Sequence, residues 1–353
     1  MNHRRSTTDF ARSVDAIAAH RQGHHGWAAA HRAIGRLLAD GLEELERLLA
    51  TTWVARPDIS DAHLLTLLGV AIRDIAMRDP VAAGVFQDDL DDSARAELLR
   101  EVVRQYEMDL ARALRDRSNS FTGARRFVVP QLLVGAFAAN LALPEVRLVD
   151  LGTGLGLLPR QLNNRAVFDR FAPDLSWDRA TPAYRPIPLT LRCGVDTFPL
   201  PTLDWVRACY GNSRYYEDRF GELLWSLEQT RDTAQDVVTH VLDMLELRQM
   251  AEFLSTYRFN VATCNFALFQ HDQNTRRMIV NCVVSRLQRP GLLLTMDPSH
   301  GLTSPGASVT GYLAGDPTEL RLAEISDAHF IGTVTCGPHL SSIVGDAWGI
   351  DAH

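Results

Sequence analysis

The stretch LVDLGTGLGLLP, Leu148–Pro159, decides how the chain is read. Val146, Leu148 and Val149 have strand character and stop at Asp150, Gly152, Gly154 and Gly156 permit a tight turn, and LLPRQLNN resumes with helix-compatible residues. The spacing predicts a strand, a glycine turn and a helix. Such a turn lets a ligand come close to the backbone, and the amides at the start of the following helix are expected to favour a carboxylate or another anion.

The same spacing separates ligand classes. A dinucleotide fingerprint needs a third glycine three places after the second, where this chain has Leu157. A Walker-type loop needs a lysine, and all thirty-six basic residues are arginine. The missing lysine also removes Schiff-base chemistry and pyridoxal attachment. The order Asp-x-Gly-x-Gly-x-Gly resembles motif I of the class I S-adenosylmethionine-dependent methyltransferases. Beside it stands a plainer reading, a glycine turn without a ligand.

The 353 residues suffice for two domains, and a net charge of −7 gives no basic field for nucleic acid. A small-molecule substrate is the expected partner; a homo-oligomer and a partner subunit both stay open. Five scattered cysteines with no C-x-x-C pair indicate neither a metal site nor a disulfide framework. MNHRR is followed by no apolar signal core, and the apolar stretch Val128–Pro144 is interrupted by Gln131 and Asn140. No membrane segment is expected, and the protein is placed in the cytoplasm.

Residues 1–120 are expected to form an all-helical domain of four to six helices, from apolar spacings of three and four in AIGRLLADGLEELERLLA and HLLTLLGVAIRDIA. The acid run Asp88–Asp92 reads as a helix start. Residues 121–353 alternate strand and helix, as a Rossmann-like, doubly wound α/β sheet requires. The next strand is Leu189–Asp196, after a proline-rich insertion, FAPDLSWDRATPAYRPIP, that is expected to cover a ligand site. Asp196 then shares the carboxyl rim of the sheet with Asp150, positioned to accept both hydroxyls of a ribose. WVRACYGNSRYYEDRFGELLWSLEQTR reads as helix, DVVTHV as a strand or turn, and Phe259–Phe269 and GLLLTMDP as buried strands. SVTGYLA, LRLAEI and HFIGTVT are expected to close one edge.

From Phe121 to Pro298 the order of FTGARRFVVPQLLVG, LVDLGTGLGLL, LRCGVDTFPL with WVRACY, FGELLWSLEQTR, VATCNFALF and LLLTMDP resembles an uncharacterised actinobacterial domain-of-unknown-function family built on a methyltransferase-like core. That resemblance implies S-adenosylmethionine as cofactor, with Asp150, Gly152, Gly154 and Gly156 as motif I and Asp196 as the ribose-binding acid. Asp243 aligns with the acidic position near adenine, although THVLD replaces the usual Gly-Asp pair.

For methyl transfer the protein positions a nucleophile, and a base helps when an amine or hydroxyl must lose a proton. His271, six residues beyond Asn265 of the fourth strand, is the candidate catalytic base. Asn265 and Gln270 are candidate substrate-binding residues, and no metal is called for. Three functions remain at this point: a small-molecule methyltransferase of specialised metabolism, a tailoring enzyme reusing the fold for an elimination or an intramolecular amine cyclisation, and a non-catalytic subunit with a vestigial cradle.

Overall fold

A computed structural model describes residues 6–20, 25–179, 183–211, 213–302 and 306–345. The chain divides into two compact units: residues 1–121, 201–220 and 270–272 in the first, and residues 122–200, 221–269 and 273–353 in the second. Two segments that the sequence reading places in the second domain, 201–220 and 270–272, thus group with the helices.

The first unit opens with α1 (Thr7–His20), α2 (His25–Ala39), α3 (Glu43–Ala55) and α4 (Asp61–Ala76), followed by the single turn α5 (Pro80–Ala83), α6 (Asp92–Gln105) and α7 (Glu107–Asp116). Among the described residues that is seven helices before residue 121, more than the four to six expected. Asp79 starts the extra turn by accepting the Val81 amide, and Tyr106, at φ −113°, ψ 22°, separates α6 from α7. The acids before α6 act as the sequence suggested: Asp91 accepts the amides of Ser93 and Ala94. Buried residues run through α4 from His63 to Ile72, on every side of the helix, so α4 is the core of its unit.

The second unit begins with α8 (Val128–Asn140), β1 (Val146–Leu151), α9 (Leu157–Gln161), α10 (Arg165–Phe171), β2 (Leu175–Trp177) and β3 (Leu189–Asp196). The chain then enters α11 (Leu203–Cys209), whose Trp205, Ala208 and Cys209 join the apolar core of the helical unit, and Trp205 donates its indole N–H to Ser118 O at 2.9 Å. That packing explains the assignment of 201–220. The long helix expected over 205–231 is broken here: α12 (Arg214–Gln229) is a separate helix. There follow β4 (Val237–Val241), α13 (Leu247–Tyr257), β5 (Val261–Asn265), α14 (Gln273–Arg286), β6 (Leu292–Leu302), β7 (Ala307–Leu313), β8 (Asp316–Ile325), β9 (Gly332–Cys336) and α15 (Leu340–Val344).

All nine strands form one sheet in the order β2-β9-β8-β7-β6-β5-β1-β3-β4. The block β4-β3-β1-β5-β6 is parallel, and β6 to β9 continue it as antiparallel steps. The three tail strands close one side, as expected. The proline-rich insertion is not wholly loop: its LSW pairs parallel to β9 as the edge strand β2, too short for an alternating pattern to reveal it. Val149, Leu151, Cys193, Val195, Ala262, Cys264 and Leu293 pack with apolar residues of α13 and α14 on one face of the sheet. On the other face Arg192 of β3 donates to Pro159 O of α9 and to Leu162 O just beyond it. Helices therefore cover both faces, which makes this a doubly wound α/β fold.

Candidate functional site

The connections leave β1 in opposite directions along the sheet, to β3 and β4 on one side and to β5 and β6 on the other. A crevice outside the carboxyl ends of the strands belongs at that switch point. Asp150 stands level with Gly194 of β3 and Thr263 of β5, so Asp196 and Asn265 both lie two residues beyond its level, on the flanking strands.

The glycine turn is held by the chain itself. Gly152, Gly154 and Gly156 have φ of 70°, 58° and 66°, a region that side chains disfavour. At Gly152 a Cβ would also lie 2.6 Å from the Ala267 methyl, whereas at Gly156 the nearest atom is 3.9 Å away. The amides of Gly152 and Thr153 both donate to Val195 O, at 2.9 and 3.0 Å, and that of Gly156 to Thr153 O at 2.9 Å. The Gly154 amide donates to Asp196 Oδ2 at 2.7 Å. These four donors are already used within the protein. The following helix, α9, has only five residues.

Asp196 is central to this arrangement. Its Oδ1 accepts the Thr197 amide at 2.8 Å, so each carboxylate oxygen holds one backbone N–H, and the Thr197 side chain is a further hydrogen-bond partner of the carboxylate. Burial raises its pKa above the usual carboxylate range, the two amides oppose that shift, and the nearby Asp243 adds to it. Asp243 is fixed by the Leu245 amide, which donates to its Oδ1 at 2.9 Å, and the neighbouring Leu242 amide donates to Asp196 O. Asp150 is buried beneath the turn. Thr263 donates its hydroxyl to Asp150 Oδ1 at 2.7 Å, yet desolvation dominates and pushes the carboxyl up to about 7.

The structure thus brings together Asp150, Gly152, Gly154, Gly156, Asp196 and Asp243. Asn265, at the end of β5, is half-buried, and its Oδ1 has no hydrogen-bond partner among the described residues. Gln270 and His271 belong to the helical unit. There Gln270 O accepts the Ser60 amide at 3.4 Å, and His271 Nδ1 lies 2.9 Å from Asp58 Oδ2. Sequence reading missed Thr263, Thr153 and Asp58. Thr263 was findable, since it shares a strand face with Asn265 two places on. Thr153 was hidden among the glycines; it packs on Gly194, where a Cβ would meet its side chain at 2.6 Å. Asp58, 213 residues from its partner, carried no local signal. No group of three or more His, Cys, Asp or Glu side chains able to hold a metal ion occurs among the described residues. None of the described helices is long and apolar enough to cross a membrane.

No family model and no curated protein matches the chain. Solved structures with some likeness include a protein of Bacillus halodurans described as a methyltransferase (17% identity over 47% of this chain and 51% of that one, TM-score 0.26). Another is an O-methyltransferase family protein of Burkholderia thailandensis (13%, 65% and 53%, TM-score 0.29). A third is an amino pentose methyltransferase of calicheamicin biosynthesis from Micromonospora echinaspora, solved with S-adenosylmethionine bound (14%, 55% and 66%, TM-score 0.27). The chain spans about half the length of the first two and under two thirds of the third.

Proposed function

We propose that the cradle binds S-adenosylmethionine and that the protein is a methyltransferase acting on a small molecule of specialised metabolism, in the cytoplasm. The observation that carries this reading is the state of the donors and acceptors at the turn. With the amides of residues 152, 153, 154 and 156 spent inside the protein, those groups do not serve a phosphate, whereas the half-buried Asp196 carboxylate, held by two amides and the Thr197 side chain, retains acceptor capacity for an O–H donor. A phosphate-free nucleoside with a ribose diol suits that set, and a dinucleotide or a nucleoside triphosphate does not.

In this reading Asp196 accepts the ribose hydroxyls and Asp243 receives the neighbouring base. Gly154 and Gly156 leave room for the ligand to pass close to the backbone. Bound there, S-adenosylmethionine supplies a methyl group already activated on a sulfonium, so the chain has no need of a strong acid. Asn265 Oδ1 takes an N–H or O–H of the substrate and orients it.

Thermal denaturation tests the ligand class. S-adenosylmethionine is expected to raise the melting temperature by several degrees at a hundredfold excess over its Kd, equivalent to about 2.7 kcal/mol, and ATP and NAD are expected to leave it unchanged. Equal shifts with all three would defeat the reading.

A further inference from the structure

The carboxylates of the cradle stand together without a base. Asp150 is 3% exposed and level with Gly194 of β3, and Asp196 lies two residues further along that strand. Among the described residues Asp196 is the one charge acting on Asp150, and both raise the pKa of Cys264 on β5, whose buried thiol is held well above the usual range and stays neutral. Asp243 in turn acts on Asp196. Arg160 of α9 has its Nε 4.0 Å from where a Cβ of Gly156 would be, but its own pKa is moved by burial alone, with no carboxylate acting on it.

Only neutral groups support the ionised form of Asp150. Thr263 donates its hydroxyl to Oδ1 at 2.7 Å. Thr153 favours the ionised form more weakly, and its buried Oγ1 has no hydrogen-bond partner among the described residues. A buried polar atom left in that state marks a place where a further polar group belongs. Burial outweighs both threonines and raises the carboxyl to about 7, so near neutral pH Asp150 is divided between its neutral and ionised forms. No base among the described residues acts on it, so a positive charge has to come with the ligand.

We infer that Asp150 makes the cradle sensitive to ligand charge: it gives up a proton when cationic S-adenosylmethionine binds and recovers one when the neutral thioether product replaces it. This rests on the reading of the cradle as an S-adenosylmethionine site and adds a proton linkage to it. On binding, Asp150 passes its proton to water, and the sulfonium charge balances the carboxylate that remains. Methyl transfer leaves the carbon–sulfur pair on sulfur, so the balancing charge disappears and Asp150 takes a proton back from water. An opposite charge favours the ionised carboxyl on the order of tenfold. The affinity for the cation therefore rises with pH relative to that for the product, and the exchange of one for the other is coupled to proton movement.

Calorimetric titration of the full chain in two buffers of different ionisation heat reads the protons released per ligand, with S-adenosylmethionine and S-adenosylhomocysteine as the probes. Repetition between pH 5.5 and 7 reads the affinities. At pH 6.5 wild type is expected to release about half a proton with S-adenosylmethionine and close to none with S-adenosylhomocysteine. Its affinity for the first is expected to grow about fourfold from pH 5.5 to 7, while that for the second stays level. Asp150→Asn is expected to abolish both the release and the slope. Thr263→Val, which removes the donor to Oδ1, should keep both and move them to higher pH, and it serves as the second variant if Asp150→Asn unfolds. Binding of S-adenosylmethionine without proton release overturns the inference. So does equal release with both probes, or a slope that neither variant changes. Binding of neither probe at any pH removes the cofactor reading itself, and the inference with it.

Discussion

At the residue scale, the glycines of the turn are not equivalent. A methyl group at position 152 meets both a positive φ and the Ala267 methyl, while at 156 it meets the φ alone. Gly156→Ala is expected to cost about 1–2 kcal/mol and Gly152→Ala clearly more, with denaturant unfolding as the measure. Asp150 gives a pH signature. Burial raises its carboxyl to about 7 in the folded protein, so its contribution to stability is fullest below the ordinary carboxylate pKa and is lost as pH rises towards 7. Asp150→Asn removes that dependence, and the melting temperature of the variant relative to wild type should climb between pH 4 and 7; a constant difference would contradict the desolvation account. Asp150, the three glycines and Asp196 were legible because strand ends, turns and rim acids leave local marks. Thr153, hidden among the glycines, and the Asp58 carboxylate, whose partner His271 is 213 residues away, were not.

At the element scale, the strands β1, β3 and β6 and the start of α6 were read from the sequence close to where they are observed, whereas the strand expected over Phe259–Phe269 is only β5, Val261–Asn265, with Leu268–Gln270 turning into a 3-10 helix. Asp91→Ala should cost about 1 kcal/mol, read as a lower denaturation midpoint with unchanged steepness, because two amides of the first turn lose their acceptor. Other elements escaped for identifiable reasons. The edge strand β2 has three residues and takes its partner from β9, and the separation of α6 from α7 depends on the backbone of the single residue Tyr106. The break between α11 and α12 follows from packing, since WVRACY buries its apolar face in the helical core. None of these choices is written in local periodicity.

At the scale of the whole molecule, the sheet order explains why scattered motifs form one site. Reversal of the connections at β1 leaves a crevice at the carboxyl ends, and parallel pairing of β3 and β5 with β1 brings the ends carrying Asp196 and Asn265 to the same rim. The sequence suggested two domains in chain order, but residues 201–220 and 270–272 group with the helical unit, an exchange that only tertiary packing sets. The absence of lysine from all 353 residues narrows the chemistry further, leaving histidine and carboxylates as the natural proton carriers near neutral pH. The central claim, that Gly154 and Asp196 form a cofactor cradle, is tested most directly by calorimetric titration of S-adenosylmethionine into wild type, Gly154→Val and Asp196→Ala. Saturable one-to-one binding to wild type, with affinity lowered at least about tenfold in each variant, equivalent to about 1.4 kcal/mol, is the expected result; equal affinity in all three proteins, or none in wild type, would contradict it.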